Sequence, residues 1–508
     1  MKRIYPAFCM FMMLGLHTTP GYSQNEDFMQ QFKQARSAMM NDYDKFRSSV
    51  LADYDQYLEG VWKEYKHFQA DKTPARPKPK EPPVYQEPPV EEEPVKMEPK
   101  NVEPKPVEPV TVEPENIKPQ PFNLPLSPVF SSMPVMPALP NIGPLTIPVS
   151  KETVEMDFYG EKIQMQKATR IPAMNITTSD DVATYWKQLK KSDLQEVVPS
   201  LAAHSRQMGL SDWATAMFVE KYAEAVMPEA SRNEKLIAVQ YILANSGYNI
   251  RLGMNESTVV LLVPYIEHVY EQSYIIIDDK RYYTYPEIES DGIFRSCELP
   301  KNSETGKDIE LKFAGHTAIG DESKEFNYQA DGITLTGKVK TGIMSLLDQY
   351  PIIDIPVVAS SVIDKQLRQQ VVKQIKAQVQ GLDEQTAANK ILHFIQHAFK
   401  YATDAEQFNR EKYFYFEETL YYPMDDCEDR AIFYAYLVHE ILKLDVHLIQ
   451  FPGHECTAVA FSQPLESGSC YEHEGKTYYI CDPTYIGADI GKCMPGYKNE
   501  SPQVEVWY

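Results

Sequence analysis

Three residues in the C-terminal part of the chain have types and contexts suited to nucleophilic chemistry. Cys427 follows an Asp-Asp pair that predicts a helix start, His454 follows a proline-glycine turn, and Asp482 directly follows the apolar run YYIC. A thiol attacks as its thiolate, which is stabilised by the unpaired N–H groups of a helix start and by a nearby imidazolium. We therefore predict a site in which Cys427 attacks, His454 moves the proton and Asp482 orients the imidazole.

The next two residues of the predicted helix act against this chemistry. Glu428 and Asp429 follow Cys427 directly, and their negative charges disfavour a thiolate. An imidazolium partner is therefore needed to offset them. The same N–H groups at the helix start would also stabilise an oxyanion during acyl transfer.

The sequence around the three residues predicts the elements that must hold them. An amphipathic helix starts at Cys427, the strands DVHLIQF and ECTAVAF flank the turn before His454, and a third strand ends just before Asp482. This arrangement puts the nucleophile on a helix start and the base and its orienting carboxylate on adjacent strands.

An internal repeat accompanies these elements. A shift of 196 residues, the distance from Ser231 to Cys427, aligns EGKTYYICDP (474–483) with DDKRYYTYPE (278–287) without a gap. It also aligns the helix at 427–442 with that at 231–246. We interpret the two segments as copies of one α/β unit.

The two copies differ at the reactive positions. Ser231, Thr258 and Pro286 occupy the places of the cysteine, histidine and aspartate. These three residues cannot form a nucleophile, base and orienting group, so the middle copy, about 175–290, is predicted to contribute no chemistry.

The order DDCEDRA, then FPGHECTAV, then YYICDPTY resembles the transglutaminase-like superfamily of papain-like cysteine enzymes, over about residues 385–490. The resemblance implies an α+β fold and a catalytic triad of Cys427, His454 and Asp482. It further implies acyl transfer on an amide, by peptide hydrolysis, deamidation or cross-linking, on a protein or peptide substrate. No cofactor and no metal are expected. The alternative is a non-catalytic binding or scaffold protein of the cell envelope with a vestigial triad, which the unreactive middle copy keeps open.

Charge and the first residues limit the compartment and the partners. Lys and Arg number 50 against 72 Asp and Glu, and this net charge of −22 argues against nucleic-acid partners. Residues 1–23 combine Lys2 and Arg3 with an apolar stretch and a small-residue cleavage site, which is typical of an export signal. We expect a periplasmic, cell-surface or extracellular protein with no membrane span.

Six cysteines follow this signal, and in an exported protein they first indicate disulfides, with metal binding and a catalytic thiol as alternatives. Apart from Cys427 they are Cys297, Cys456, Cys470, Cys481 and Cys493. A hairpin turn at Gly475-Lys476 would bring Cys470 opposite Cys481, so a bridge between these two is predicted.

The remaining segments complete the predicted organisation. Residues 24–72 have the spacing of an amphipathic helix, with self-association possible through 25–72, and most of the 38 prolines fall within 73–150, as in an extended spacer. The predicted domains after them are a degenerate transglutaminase-like copy (151–290), a β-rich insert (291–360) and a transglutaminase-like catalytic domain (361–508). Within 151–290 we predict helices at 181–191, 199–207, 211–226 and 233–246, and strands at 249–252, 259–263, 273–277 and 281–285.

Overall fold

The chain combines helices and strands, largely in separate runs, as predicted for an α+β protein. The computed structural model describes residues 62–71, 81–86, 96–97, 152–288, 292–297, 306–315 and 317–507. All of them belong to one unit made of Val61–Glu298 and Gly306–Tyr508. The predicted export signal, 1–23, and the first part of the predicted helix, 24–61, lie outside the described residues. No helix in the described ranges is long and apolar enough to cross a membrane.

The first half of the described chain forms a layer of helices beside a barrel. In chain order its elements are β1 (Trp62–Phe68), β2 (Lys96–Met97), β3 (Thr153–Phe158), β4 (Glu161–Gln166), α1 (Ser179–Leu189), α2 (Leu194–Gln207), α3 (Asp212–Val226), α4 (Arg232–Asn245), β5 (Arg251–Asn255), β6 (Thr258–Val263), β7 (Val269–Tyr270), β8 (Tyr274–Ile277), β9 (Lys280–Tyr285) and β10 (Ile293–Cys297). The four helices and four strands predicted within 151–290 are confirmed, with small shifts at their ends.

The second half carries the candidate site. Its elements are β11 (Ser323–Ala330), β12 (Ile333–Lys340), α5 (Thr341–Leu347), β13 (Ile352–Ile353), α6 (Ile355–Ser360), α7 (Lys365–Val379), α8 (Glu384–Ala398), β14 (Lys400–Tyr401), α9 (Asp404–Phe408), α10 (Phe416–Tyr421), β15 (Met424–Asp425), α11 (Cys427–Leu442), β16 (Asp445–Phe451), β17 (His454–Ala460), β18 (Cys470–His473), β19 (Lys476–Cys481), a 3₁₀ turn (Pro495–Tyr497) and β20 (Gln503–Trp507).

Six strands close into a barrel in the order β1-β10-β5-β6-β9-β8. Their shared apolar core consists of Val260, Leu262, Ile275, Ile277, Tyr282 and Phe294. On the outside, α4 packs against β6. Closure leaves no edge strand that another chain could extend.

The prediction of a helix over 24–72 is wrong at its C-terminal end, because Trp62–Phe68 is a barrel strand. This strand pairs antiparallel with β10, where Tyr65 faces Phe294, and with β8, where His67 faces Ile275. Apolar residues three or four positions apart fit either structure over so short a stretch. Aromatic residues favour strands, and pairing on both sides decides the outcome here.

The proline-rich segment, predicted to be a spacer over 73–150, packs against the protein in its described parts. Tyr85 donates its backbone N–H to Ile486 (2.8 Å), and Ile486 donates to the carbonyl of Pro83 (2.9 Å). Lys96–Met97 forms β2, parallel to β18, and Met97 is only 5% exposed. An extended backbone has free N–H and C=O groups that a sheet can pair, so the spacer prediction is wrong for residues 81–86 and 96–97.

The region predicted to be a β-rich insert, 291–360, is less regular than expected. The hairpin of β11 and β12 is present. However, β10 belongs to the barrel, α5 and α6 are helical, and residues 308–313 form only an isolated bridge at Ile309. The backbone N–H groups of Leu311 and Lys312 donate to the carboxylate of Glu267 instead of a neighbouring strand (2.9 and 3.1 Å).

A six-stranded sheet in the order β2-β18-β19-β17-β16-β20 supports the candidate site. α11 packs on its β16 and β17 strands. Four of its strands repeat the order β5-β6-β9-β8 of the barrel as β16-β17-β19-β18. The pairing register is also the same after a shift of 196 residues, since Asn255–Thr258 corresponds to Phe451–His454 and Val263–Tyr283 corresponds to Val459–Tyr479.

Candidate active site

Cys427 is the first residue of α11, as its sequence context predicts. Asp426 is the N-cap, and its backbone N–H donates to the side chain of Asp429 (3.3 Å). The apolar residues Phe433 and Leu437 are buried and fix the helix on the sheet. The thiol therefore lies in the first turn, where Cys427 is buried at 1% exposure.

His454 and Asp482 are hydrogen-bonded to each other. His454 is the first residue of β17, Asp482 directly follows β19, and these strands pair through Thr457 and Cys481. Nε2 of the imidazole lies 2.8 Å from Oδ2 of the carboxylate. The predicted contact between base and orienting group is thus present in the structure.

The second oxygen of Asp482 is held by its own turn. Its Oδ1 accepts the N–H groups of Thr484 (2.9 Å) and Tyr485 (3.2 Å). The amide of Gln396 on α8 donates to the carbonyl of Asp482 (3.1 Å). These bonds fix the carboxylate and leave Oδ2 directed at the imidazole.

The hydrogen bond to Asp482 determines what the other ring nitrogen can do. A neutral imidazole has one proton, and a carboxylate partner places it on Nε2, so Nδ1 has a free lone pair. No atom of the described residues hydrogen-bonds to Nδ1 of His454, which is 2% exposed. Nδ1 is therefore the atom that would accept a proton from a nucleophile.

The thiol of Cys427 donates to Oε2 of Glu428 (3.0 Å). The predicted hydrogen bond between the Cys427 thiol and the His454 imidazole is absent, because Nδ1 has no partner among the described residues and Nε2 is bonded to Asp482. Sequence analysis identified the charge of Glu428 as unfavourable for a thiolate, and the side chain is buried beside the sulfur. The carboxylate beside the sulfur thus disfavours the thiolate.

Other buried acids add to this negative environment. Burial raises the pKa of Asp425 to about 6, even though the guanidinium of Arg430 lies 2.7 Å away and lowers it. Burial also raises the pKa of Asp429 well above its usual range, and the charges of Asp404 and Glu428 raise it further. The start of α11 therefore combines a favourable helix dipole with unfavourable side-chain charges.

Tyr497 is a site residue that sequence analysis missed. Its ring stacks on that of His454, with centroids 5.3 Å apart and planes 8° from parallel. Burial raises the pKa of the Tyr497 hydroxyl, and the charges of Cys427 and Asp482 raise it further. Tyr497 thus contacts His454 and lies within electrostatic range of Cys427 and Asp482. Its position after the last motif, in a short 3₁₀ turn, gave no signal in the sequence.

The six cysteines among the described residues are free thiols. The predicted bridge between Cys470 and Cys481 is wrong, because the turn consists of Glu474 and Gly475 and sets Cys470 opposite Tyr479. Burial raises the pKa of the Cys481 thiol to about 12 and that of Cys456 well above its usual range. These buried thiols are poor nucleophiles.

Four groups of side chains among the described residues could supply ligands to a metal ion, and two of them contain a predicted catalytic residue. His454, Cys456 and Asp482 form one group, and Asp426, Cys427 and Glu428 form another, with ligand atoms within 4.8 Å of one another in each. The members of each group already contact one another, as in the bond of His454 to Asp482 and that of Cys427 to Glu428.

The middle copy holds no comparable arrangement at the matching positions. Ser231 is the N-cap of α4, and its hydroxyl donates to Glu234 (2.7 Å). Thr258 begins β6 with an exposed side chain, and Pro286 follows β9. The scaffold is repeated, but the side chains at these positions cap and connect elements.

Comparison of the sequence with models of known protein families finds no match, and no curated protein matches it. The resemblance to the transglutaminase-like superfamily therefore stays a prediction based on the three motifs.

Proposed function

We propose that the protein is an exported, transglutaminase-like cysteine enzyme that transfers the acyl group of an amide. The observation that carries the proposal is the bond between His454 and Asp482 (2.8 Å), which leaves the imidazole lone pair on Nδ1. The position of Cys427 at the start of α11 and the ring of Tyr497 stacked on His454 support it.

The reaction has two steps. The sulfur of Cys427 attacks the amide carbon, its proton passes to Nδ1 of His454, and the C–N bond breaks as the leaving amine takes that proton. The resulting thioester then reacts with water, which gives a carboxylic acid, or with an amine, which gives a new amide. Asp482 stabilises the imidazolium that forms between these proton transfers.

The resting arrangement must change before attack. The thiol of Cys427 donates a hydrogen bond to Oε2 of Glu428, with 3.0 Å between sulfur and oxygen, and Cys427 is buried. The thiol therefore has to exchange this contact for Nδ1 of His454, and the residues that bury Cys427 have to admit an amide. A binding step that supplies the energy for both changes would restrict attack to the correct substrate.

The alternative is a non-catalytic binding or scaffold protein of the cell envelope. The contact between Cys427 and Glu428 favours it, because a neighbouring carboxylate disfavours the thiolate. The middle copy, which lacks all three reactive residues on the same strand register, also favours it.

Three assays on one set of variants test the proposal. Release of peptides from a denatured protein measures hydrolysis, release of ammonia measures deamidation, and incorporation of a fluorescent primary amine measures cross-linking. Cys427→Ala should abolish whichever activity the wild type shows. Cys470→Ala, which changes a half-buried thiol on β18, and Ser231→Ala in the middle copy should retain it. Activity that survives in Cys427→Ala, or a wild type inactive in all three assays, would favour the scaffold.

A further inference from the structure

A buried cation occupies one end of the barrel. Arg251 is the first residue of β5, and its register partner Leu262 belongs to the apolar barrel core. The side chain is 3% exposed. Its guanidinium lies over the ring of Tyr282, 4.6 Å from the centroid.

This guanidinium has no anionic partner among the described residues, and no hydrogen bond from them reaches its Nε or Nη1. A cation removed from water without a counter-charge is strongly destabilising, and stacking on one aromatic ring recovers only part of that loss. Nearby groups do not supply a charge, since burial raises the pKa of the Cys297 thiol to about 12 and so keeps it neutral.

The matching position in the last copy shows how the site differs. His447 occupies the place of Arg251, and its ring stacks on Tyr478, the counterpart of Tyr282, at 3.8 Å. Burial lowers the pKa of His447 to about 3, so the ring is neutral, and Nδ1 pairs with the hydroxyl of Tyr471 (2.8 Å). The counterpart of Tyr471 is Ile275, which offers no polar atom.

We propose that Arg251 and Tyr282 form a binding site for a single oxyanion group, a carboxylate or a phosphate, in the middle copy. The guanidinium supplies charge and planar N–H donors, and the tyrosine ring holds its plane in place. Lys280, the other cation over this ring at 5.7 Å, is neutralised by Asp308 at 2.5 Å. One uncompensated positive charge matches one oxyanion and disfavours a polyanion.

The site is independent of the proposed chemistry, because it lies in the copy without a reactive triad. It would give that copy a role in holding an acidic ligand. It also explains why a neutral histidine suffices in one copy while an arginine is present in the other.

Calorimetric titration of the full-length protein tests the site, with inorganic phosphate, acetate and neutral acetamide as probes at matched ionic strength. Phosphate or acetate should bind saturably at one site and acetamide should not, and the stronger of the two anions identifies the source of the oxyanion. Arg251→Met should weaken binding at least about tenfold while the fold is retained, because the matching position already tolerates a neutral side chain. Lys280→Met is the matched control and should change affinity less than about twofold, since its charge is already paired.

A second readout uses stability. Without anion, Arg251→Met should melt at the same temperature as the wild type or higher, and added phosphate or acetate should raise the melting temperature of the wild type alone. Two results overturn the proposal: absence of saturable binding of both anions to the wild type, or equal binding by wild type and Arg251→Met. The wild-type titration decides the question even if the variant does not fold.

Discussion

The contact between Cys427 and Glu428 makes the state of the thiol testable by one substitution, Glu428→Gln. The amide retains the size of the side chain and a carbonyl oxygen for the S–H donor, but removes the negative charge 3.0 Å from the sulfur. The thiolate of Cys427 should then become easier to form, and its reaction with iodoacetamide should become faster.

The size of the effect follows from Coulomb's law. Two unit charges about 3 Å apart interact by about 5.5 kcal/mol at an effective dielectric constant of about 20. Movement of the side chains and partial protonation of the acidic cluster reduce this value. If only a quarter remains, about 1.4 kcal/mol, the thiolate population rises about tenfold.

The protein contains its own reference thiol. Cys470 is half-buried on β18 and lies outside the candidate site, so we expect it to react before Cys427 in the wild type. Peptide mapping after brief labelling gives the ratio of the two rates, and Glu428→Gln should raise the ratio of Cys427 to Cys470 about tenfold. Glu440→Gln, on the exposed side of the same helix, should leave it unchanged. An unchanged ratio in Glu428→Gln would show that this carboxylate does not control the thiol.

Three further substitutions test the site and the fold. Asp482→Asn should lower kcat by about 100-fold or more without unfolding the protein, because His454 loses the carboxylate that sets its tautomer; steady-state kinetics and circular dichroism measure the two effects. Asp425 has a pKa of about 6 in the folded protein against about 3.9 unfolded, so its contribution to stability is present below pH 4 and is lost as the pH rises through 6. In urea titrations, the unfolding free energy should therefore fall less between pH 4 and pH 6.5 in Asp425→Asn than in the wild type. The difference should be up to about 3 kcal/mol. Met97→Ala should reduce the unfolding free energy by about 2–4 kcal/mol, whereas Val84→Ala, at a position 64% exposed, should change it by less than about 0.5 kcal/mol; equal effects would contradict the docking of the proline-rich segment.

The helices and strands that hold the site could be predicted because each has a local signal. α11 begins at the acidic pair before Cys427, and the turns on either side of β17 and β19 carry glycine or proline. The spacing of apolar residues identified α1 to α4 in the same way. Signals of this kind depend on neighbours in the sequence, so one chain suffices to detect them.

The contacts of the N-terminal segments had no such signal. Trp62–Phe68 becomes a strand through β10 and β8, which lie more than 200 residues away in the sequence. Met97 is buried through β18. In both cases an edge strand of one copy, β8 or its counterpart β18, recruits a distant extended segment, and neither the partner nor the register can be read from the segment itself.

The direction of the Cys427 thiol also depends on information outside the local pattern. The sequence predicts a negative charge at Glu428 and a proton acceptor at His454. Which of the two the thiol of Cys427 contacts depends on side-chain positions. The imidazole is fixed by Asp482 and by the stacked ring of Tyr497, which comes from a separate turn. The thiol donates to Oε2 of Glu428, and Nδ1 of His454 accepts no hydrogen bond from the described residues.

The shared register of the two copies separates the scaffold from the chemistry. His454 and Thr258 both begin the second strand of their copy, and their positions are set by pairing with the residue three places earlier, Phe451 or Asn255. The backbone therefore presents whichever side chain occurs there, and reactivity depends on a few substitutions within a common frame. Glu428 belongs to the same comparison, since Arg232 occupies its place in the middle copy. A carboxylate next to Cys427 is thus a local feature of the last copy, and the proposed enzyme and the alternative scaffold differ in whether substrate binding can separate that pair.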